Sequence, residues 1–300
     1  MLSKNSPKIN NSTYISNMKP AKINKLKKGL YVTATPIGNL KDITLRGLET
    51  LENVDMIACE DTRRSRKLLN YYSIRNKLLS FHDANEHRMQ PKIIESLNEG
   101  KSIALISDAG TPLINDPGYK LVLECIKLKI PVITIPGASS LTSALSISGI
   151  PTNKFSFFGF FPSKSGEKEK LINTSNFSNS TIVFFETPKR LKSTINLLSN
   201  KFPDRNVSIC KELTKLHEKI IFGKLRDISL DTDILEPKGE YVIILAPQTY
   251  KQVDVSEAIL MLKDALKLMR ISEAVSEVSL ISGISKKDLY RKAIEIKKND

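Results

Sequence analysis

From Gly29 onward the chain alternates short apolar runs with longer stretches of helical period. The runs lie in GLYVTATPIGN, DMIACEDT, KLLSFHDAN, KSIALISDAG and PVITIPGASS, and each is followed by turn residues. Between them TLRGLETLENV, TRRSRKLLNYY, EHRMQPKIIESLNEG and DPGYKLVLECIKLKI carry apolar residues at three- and four-residue spacing. Strands that are apolar at successive positions, rather than at alternate ones, are covered on both faces. The pattern therefore predicts repeated β-α units and a mostly parallel sheet. SSLTSALSISG reads as one more helix, rich in small residues that allow close packing.

After PTNKFSFFGFFPSK the chain becomes richer in strands. STIVFFETP, NVSICKELT, EKIIFGKL and GEYVIILAP read as strands, with PKRLKSTINLLSNKF as a helix between two of them. Short links between neighbouring strands predict antiparallel pairing in an α+β unit. A polar gap, QTYKQVD, precedes a helical segment in which Ser282-Gly283 joins two helices, with Ser285 as the cap of the second. The predicted organisation is a basic tail (1–28), an N-terminal α/β domain (29–137), a C-terminal α+β domain (138–248) and a helix-turn-helix segment (251–300), with the main boundary near Pro136-Gly137.

Charge changes this picture. The formal net charge is +14 and the pI is about 9.5, which favours a polyanionic partner such as RNA. The alternative is a lysine-rich surface that is merely solvated. Seven lysines and no acid fall in residues 1–28, whose polarity and lack of period read as disorder. The three cysteines, Cys59, Cys125 and Cys210, are far apart and form no metal-binding motif, so no metal is expected and a reducing cytoplasmic setting is. No run of 18 apolar residues occurs, so no membrane-spanning helix is predicted. The N-terminus has neither an apolar signal segment nor an Arg-rich amphipathic one.

Four strand ends carry unusual loops: TATPIGNL, CEDTRRSR, SDAGTPLINDPG and PGASS. In an open α/β sheet, ligands bind beyond the carboxyl ends of the strands. The glycine spacing matches neither a dinucleotide-binding fingerprint nor a P-loop; it fits a small cofactor held largely through backbone groups. Asp108 is placed at the mouth of the crevice, whereas Asp116, before Pro117-Gly118, reads as a helix cap. Glu60 and Asp61 end a strand and Arg63, Arg64 and Arg66 begin a helix, where they either hold phosphate or pair with the acids. FHDANEHR offers His82, and KELTKLHE and FFETPKRL are charged turns that serve either a site or only a cap. FPSKSGEKEK, with Lys164, reads as a mobile polar loop facing RNA. The phenylalanines of FSFFGFF are core residues or, alternatively, stacking surfaces for bases.

Taken in order, ATPIGNLKDITLRGLETL, CEDTRRSRKLL, SDAGTPLINDPGYKLV, PGASSLTSALSISG, FFGFFPSK, FFETPKRL and KELTKLHE resemble the ribosomal RNA small subunit methyltransferase I family. The resemblance covers residues 29 to about 247, and GISKKDLY is similar to that family's C-terminal helix-turn-helix. Ala138-Ser139-Ser140 departs from the family's more usual Pro-Ser-Ala. The resemblance implies a two-domain tetrapyrrole-methylase-like α/β fold with S-adenosyl-L-methionine in the cleft. It implies 2′-O-methylation of a cytidine, cytidine 1402, in the decoding centre of 16S rRNA, within the 30S subunit, by a cytoplasmic homodimer. Carried over residue by residue, the cofactor loops match Pro36, Gly38, Asp108, Ala109, Gly110, Thr111, Ser139 and Ser140, with Glu186 and Gly239 from the second domain. Glu60, Asp61 and His82 are then the candidates for proton acceptor, and Arg63, Arg64 and Lys164 for RNA phosphates. The rival readings are a tetrapyrrole methyltransferase on the same fold and an RNA-binding module without catalysis.

Overall fold

The structure is a computed structural model that describes residues 26–174, 177, 179–231, 235–248 and 255–299. Most of the basic tail, residues 1–25, therefore lies outside the described residues, as do residues 249–254 of the polar gap. The chain divides into two compact units. One holds residues up to 173 together with 181–246, and the other holds 174–180 with 247–300.

The larger unit contains two five-stranded sheets. The first is built from β1 (Gly29–Thr33), α1 (Leu45–Asn53), β2 (Met56–Cys59), α2 (Thr62–Tyr71), β3 (Leu78–Ser80), α3 (Glu86–Asn98), β4 (Ser102–Ile106), α4 (Tyr119–Lys127) and β5 (Val132–Ile135). Its strand order is β3-β2-β4-β1-β5, and every pairing is parallel. The predicted parallel sheet is thus present, and its central strands are buried at successive positions because both faces are covered. One face packs Leu30, Ala58, Ile103 and Leu105 against Ile93, Leu97 and Leu121 of the helices. The other packs Tyr31, Ile57, Ala104 and Ile106 against Leu48, Leu51 and Leu69. Parallel strands send all their carboxyl ends to one edge, so the loops after β1, β2, β4 and β5 meet there.

The second sheet follows α5 (Ser140–Ile147). It comprises β6 (Phe155–Phe160), α6 (Ser165–Ile172), β7 (Thr181–Glu186), α7 (Pro188–Lys201), β8 (Asn206–Lys211), β9 (Lys219–Lys224), α8 (Leu225–Leu230) and β10 (Tyr241–Leu245). The order is β6-β7-β10-β8-β9. Three pairings are antiparallel, as predicted; β6 pairs with β7 in parallel, with an irregularity between Phe157 and Phe160. Two expectations change here. FSFFGF is a strand of half-exposed residues rather than fully buried core. The segment after it is not a loop but helix α6, in which Leu171 and Ile172 are buried and the charged residues face outward.

In the smaller unit α9 (Val255–Leu268), α10 (Ile271–Ser282) and α11 (Lys286–Asn299) pack around Ala258, Leu262, Ala274, Val275, Val278, Leu289 and Ala293. The predicted turn is present. Gly283 ends α10 with φ +73°, and the Ser285 hydroxyl accepts the Asp288 N–H at 3.1 Å. α9 adds a third helix to the predicted pair. No helix among the described residues is long and apolar enough to cross a membrane.

Candidate active site

The loop after β4 holds the other carboxyl-end loops together. Thr35, after β1, exchanges two backbone hydrogen bonds with Gly110: its N–H donates at 2.9 Å and its carbonyl accepts at 3.0 Å. The Thr111 hydroxyl donates to the carbonyl of Ala138, after β5, at 3.1 Å. The N–H of Asp61, after β2, donates to Asp108 Oδ1 at 3.0 Å. Three separate strand ends are thereby fixed to one four-residue stretch, 108–111. Gly110 adopts φ +85°, a conformation that glycine alone takes without strain.

Beside this loop opens a cavity of about 410 Å³, a size suited to a small cofactor. Its walls come from both sheets of the larger unit. Glu60, Arg64, Asp108, Asp116 and Ser139 stand on one side; Phe160, Phe185, Thr187, Leu213, Gly239 and Tyr241 stand on the other. One wall is therefore acidic and the other mainly apolar. Arg64 Nη1 pairs with Asp108 Oδ2 at 3.2 Å and offsets part of that charge. Burial pushes the Glu60 carboxyl above its ordinary value, and the neighbouring Asp108 and Asp83 charges push it further. Asp116 is raised to about 6, first by burial and then by Glu60, Asp108 and Asp83, against a hydrogen bond from Ser107.

Of the ten residues matched to cofactor loops, Asp108, Ala109, Gly110, Thr111, Ser139, Ser140, Glu186 and Gly239 line this cavity, and Pro36 and Gly38 do not. Pro36 borders a separate hollow behind Asp108. Gly38 is a packing glycine: a Cβ there would lie 2.5 Å from Lys215 Cγ and 2.7 Å from Thr214 Oγ1. Ile37 occupies the wall in their place. Glu186 needs a correction of another kind, because its side chain is fully buried and its oxygens are taken up by neighbouring residues. It pairs with Arg190 at 2.7 Å, and accepts from the Thr187 N–H at 2.7 Å and the Thr194 hydroxyl at 2.6 Å. FFETPKRL is therefore a braced turn at the head of α7. Gly239 has φ +103°, and a Cβ on it would meet Glu212 Cγ at 2.8 Å.

The proton-acceptor candidates separate. Glu60 is in the wall. Asp61 is instead the cap of α2, accepting the Arg63 N–H at 2.8 Å and gripping the Arg63 guanidinium through both oxygens, at 3.1 and 2.7 Å. The bonds from Arg63 hold its carboxyl far below the usual range, which makes it a poor base. His82 is not in the wall; its backbone N–H donates to Asn85 Oδ1 at 2.9 Å. Among the RNA candidates, Arg64 lines the cavity, whereas the Arg63 and Lys164 side chains are 87% and 80% exposed, each beside an acid, Asp61 and Glu167. Asp116 is no helix cap: Gly118 stands at the cap of α4, and no side chain bonds there. Phe160 and Asp116 line the cavity, although the sequence offers plausible structural readings for both. The signal in the sequence is a glycine beside or near each, Gly159 and Gly118, and both take a positive φ in the structure. Among the described residues no group of three metal-ligating side chains could hold a metal ion.

Residues 29–229 match the family described as Tetrapyrrole (Corrin/Porphyrin) Methylases, and 252–297 match the RsmI C-terminal HTH domain. A protein of Mesorhizobium japonicum named Ribosomal RNA small subunit methyltransferase I is 42% identical, over 91% of this chain and 93% of its own. A namesake from Halalkalibacterium halodurans is 40% identical over 88% and 94%. The crystal structure of uroporphyrin-III C-methyl transferase from Thermus thermophilus complexed with S-adenyl homocysteine shares the fold. Its TM-score is 0.51 at 14% identity, covering 73% of this chain and 97% of that one. Identity at this level along nearly the whole length, helical C-terminal segment included, means that the chain belongs to the ribosomal RNA small subunit methyltransferase I family.

Proposed function

We propose that this S-adenosyl-L-methionine-dependent methyltransferase 2′-O-methylates a cytidine, cytidine 1402, in the decoding centre of 16S rRNA. The observation that carries the reading is the 42% identity over 91% of the chain to a protein named for ribosomal RNA of the small subunit. The charge of +14 agrees with a polyanionic substrate, and an enzyme acting on ribosomal RNA works in the cytoplasm.

The cavity's chemistry fits the donor. Ala109, Gly110, Thr111, Ser139 and Ser140 would bind its polar end, and Ile37, Leu213 and Val242 its apolar parts, all of them lining residues. Bound S-adenosyl-L-methionine supplies an electrophilic methyl group on a sulfonium. Asp108 and Glu60 favour that positive charge electrostatically. The braced loops keep donor and ribose in line, which supplies much of the rate because the donor is already activated. Arg63, Arg64 and Lys164 hold RNA phosphates, and the basic α11 has the same role. Exposed Tyr119, Leu123 and Ile126 on one face of α4 support a homodimer.

The test is methyl transfer from labelled donor to 30S subunits lacking the modification, to naked 16S rRNA and to a tetrapyrrole precursor, with mass mapping of the product. Label on the ribose of cytidine 1402 is expected. Label on the tetrapyrrole, or on another RNA position, overturns the reading.

A further inference from the structure

Within the cavity the geometry points to Asp116 as the group that takes the proton from the attacking ribose hydroxyl, an assignment that rests on the ribose methylation proposed above. Asp116 lies in the wall five residues beyond the bracing loop, on the same connection. The backbone around it is strained in a way that serves no capping role. Leu113 and Asn115 hold φ of +71° and +67°, a left-handed conformation that asparagine takes readily and leucine only at a cost. Gly118 holds φ +121°, and a Cβ there would lie 2.8 Å from Leu105 Cδ2. Two left-handed residues and a glycine thus turn Asn115-Asp116 toward the cavity. Asn115 Oδ1 sits against Gly159, the residue beside Phe160, where a Cβ would clash with it. Asp116 therefore stands where the donor loop approaches the second sheet.

Its surroundings suit a base. The groups facing it are the Ser107 hydroxyl and the carboxylates of Glu60, Asp108 and Asp83. Arg64 pairs with Asp108 at 3.2 Å, and no lysine or arginine among the described residues pairs with Asp116. Glu60 is also pushed up, by burial and by Asp108 and Asp83, but Arg64 and His82 face it and offset part of that rise. A carboxylate raised to about 6 is still ionised at neutral pH, and it is a far better acceptor than one at its ordinary value.

The step balances. The ribose O2′ forms a bond to the methyl carbon as the carbon–sulfur bond breaks, and the sulfur keeps that electron pair and becomes a neutral thioether. The O2′ proton passes to the Asp116 carboxylate and afterwards to water. The sulfonium charge and the carboxylate charge disappear together.

The experiment is single-turnover methylation of 30S subunits lacking the modification, across pH 5 to 9, with wild type, Asp116→Asn and Asp116→Glu. Donor affinity is read by calorimetry and folding by thermal unfolding. Wild type should lose rate on the acid side with a midpoint at or below about 6. Asp116→Asn should be slower by about 100-fold or more and lack that limb. Its donor affinity should stay within about threefold, and Asp116→Glu should recover part of the rate and the limb. Asp116→Asn within about threefold of wild type, or a slow variant that keeps the limb, overturns the assignment while leaving the function intact. A wild type that labels no ribose overturns both.

Discussion

Arg190→Ala tests whether the far wall of the cavity is held by one buried charge. Glu186 has no exposed side-chain surface, and Arg190 is its only cationic partner among the described ion pairs. Removing one member of a buried pair typically costs about 3 to 5 kcal/mol, because the other is left charged and unpaired. Glu186 would keep its bonds from Thr187 N–H and Thr194 Oγ1, and the Arg190 side chain is 29% exposed. Both features point to the low end, about 3 kcal/mol, or a fall in Tm of roughly 6 to 12 °C for a unit of this size. Glu186→Gln should cost less, about 1 kcal/mol, since it removes the buried charge and Arg190 can turn to water. In the Glu186→Gln background Arg190→Ala should therefore cost at least about 1 kcal/mol less than it does alone. Urea unfolding of the four proteins measures the cycle, and donor calorimetry reports on Thr187 and Pro188 in the adjoining wall. Additive losses, or a loss below about 1 kcal/mol for Arg190→Ala, would refute the argument. If Glu186→Gln weakened donor binding with stability unchanged, Glu186 would be a ligand group after all.

Other outcomes follow from the same contacts. Gly38→Ala should lower stability by about 1 to 3 kcal/mol in urea unfolding, because its methyl group would press on Thr214, Lys215 and the Leu213 carbonyl. Asp61→Asn should lower the Tm at pH 7. A carboxylate held below its ordinary value stabilises the fold above that value, and the contribution is lost as pH falls through the folded value, so the Tm difference should shrink below about pH 4. Arg63→Ala with Arg64→Ala should reduce the salt dependence of RNA binding, lowering the slope of log K against log salt by about 1.4, measured by filter binding.

How much of this was legible in the sequence depended on whether local pattern and tertiary role agreed. β4 reads as a strand because five successive positions are buried, and the loop after it announces itself through Gly110 and Gly118. The tie between Thr35 and Gly110 joins residues 75 apart, and no local pattern reveals it. β6 was hidden because Phe155, Phe157, Phe158 and Phe160 look like core while a bulge turns Phe160 outward, to 49% exposure. α6 was hidden because its charges outnumber its two buried residues. Glu186 and Asp116 show the ambiguity of an acid close to a proline. In Glu186 the plain structural reading holds, and in Asp116 it fails, because Gly118 leaves the helix end uncapped.

Charge is distributed in a way that bears on which part of an RNA can enter. The chain carries +14 overall, yet on the side of the bracing loop the cavity wall sets Glu60, Asp108 and Asp116 against a single Arg64. A phosphate moved beside three carboxylates meets repulsion in a partly desolvated space, where charges act strongly. A ribose hydroxyl meets acceptors for its proton. The exposed cations, Arg63 and Lys164, stand outside the cavity walls, where phosphates remain hydrated. RNA of the proposed kind would therefore be held by its backbone at the rim while one sugar turns inward. The apolar face of Phe160, already edge-to-face with Phe185 at 5.6 Å, would receive the attached base. On this arrangement Phe160→Ala should weaken capture of the RNA and leave donor affinity unchanged; a loss confined to donor binding would assign the ring to the cofactor instead.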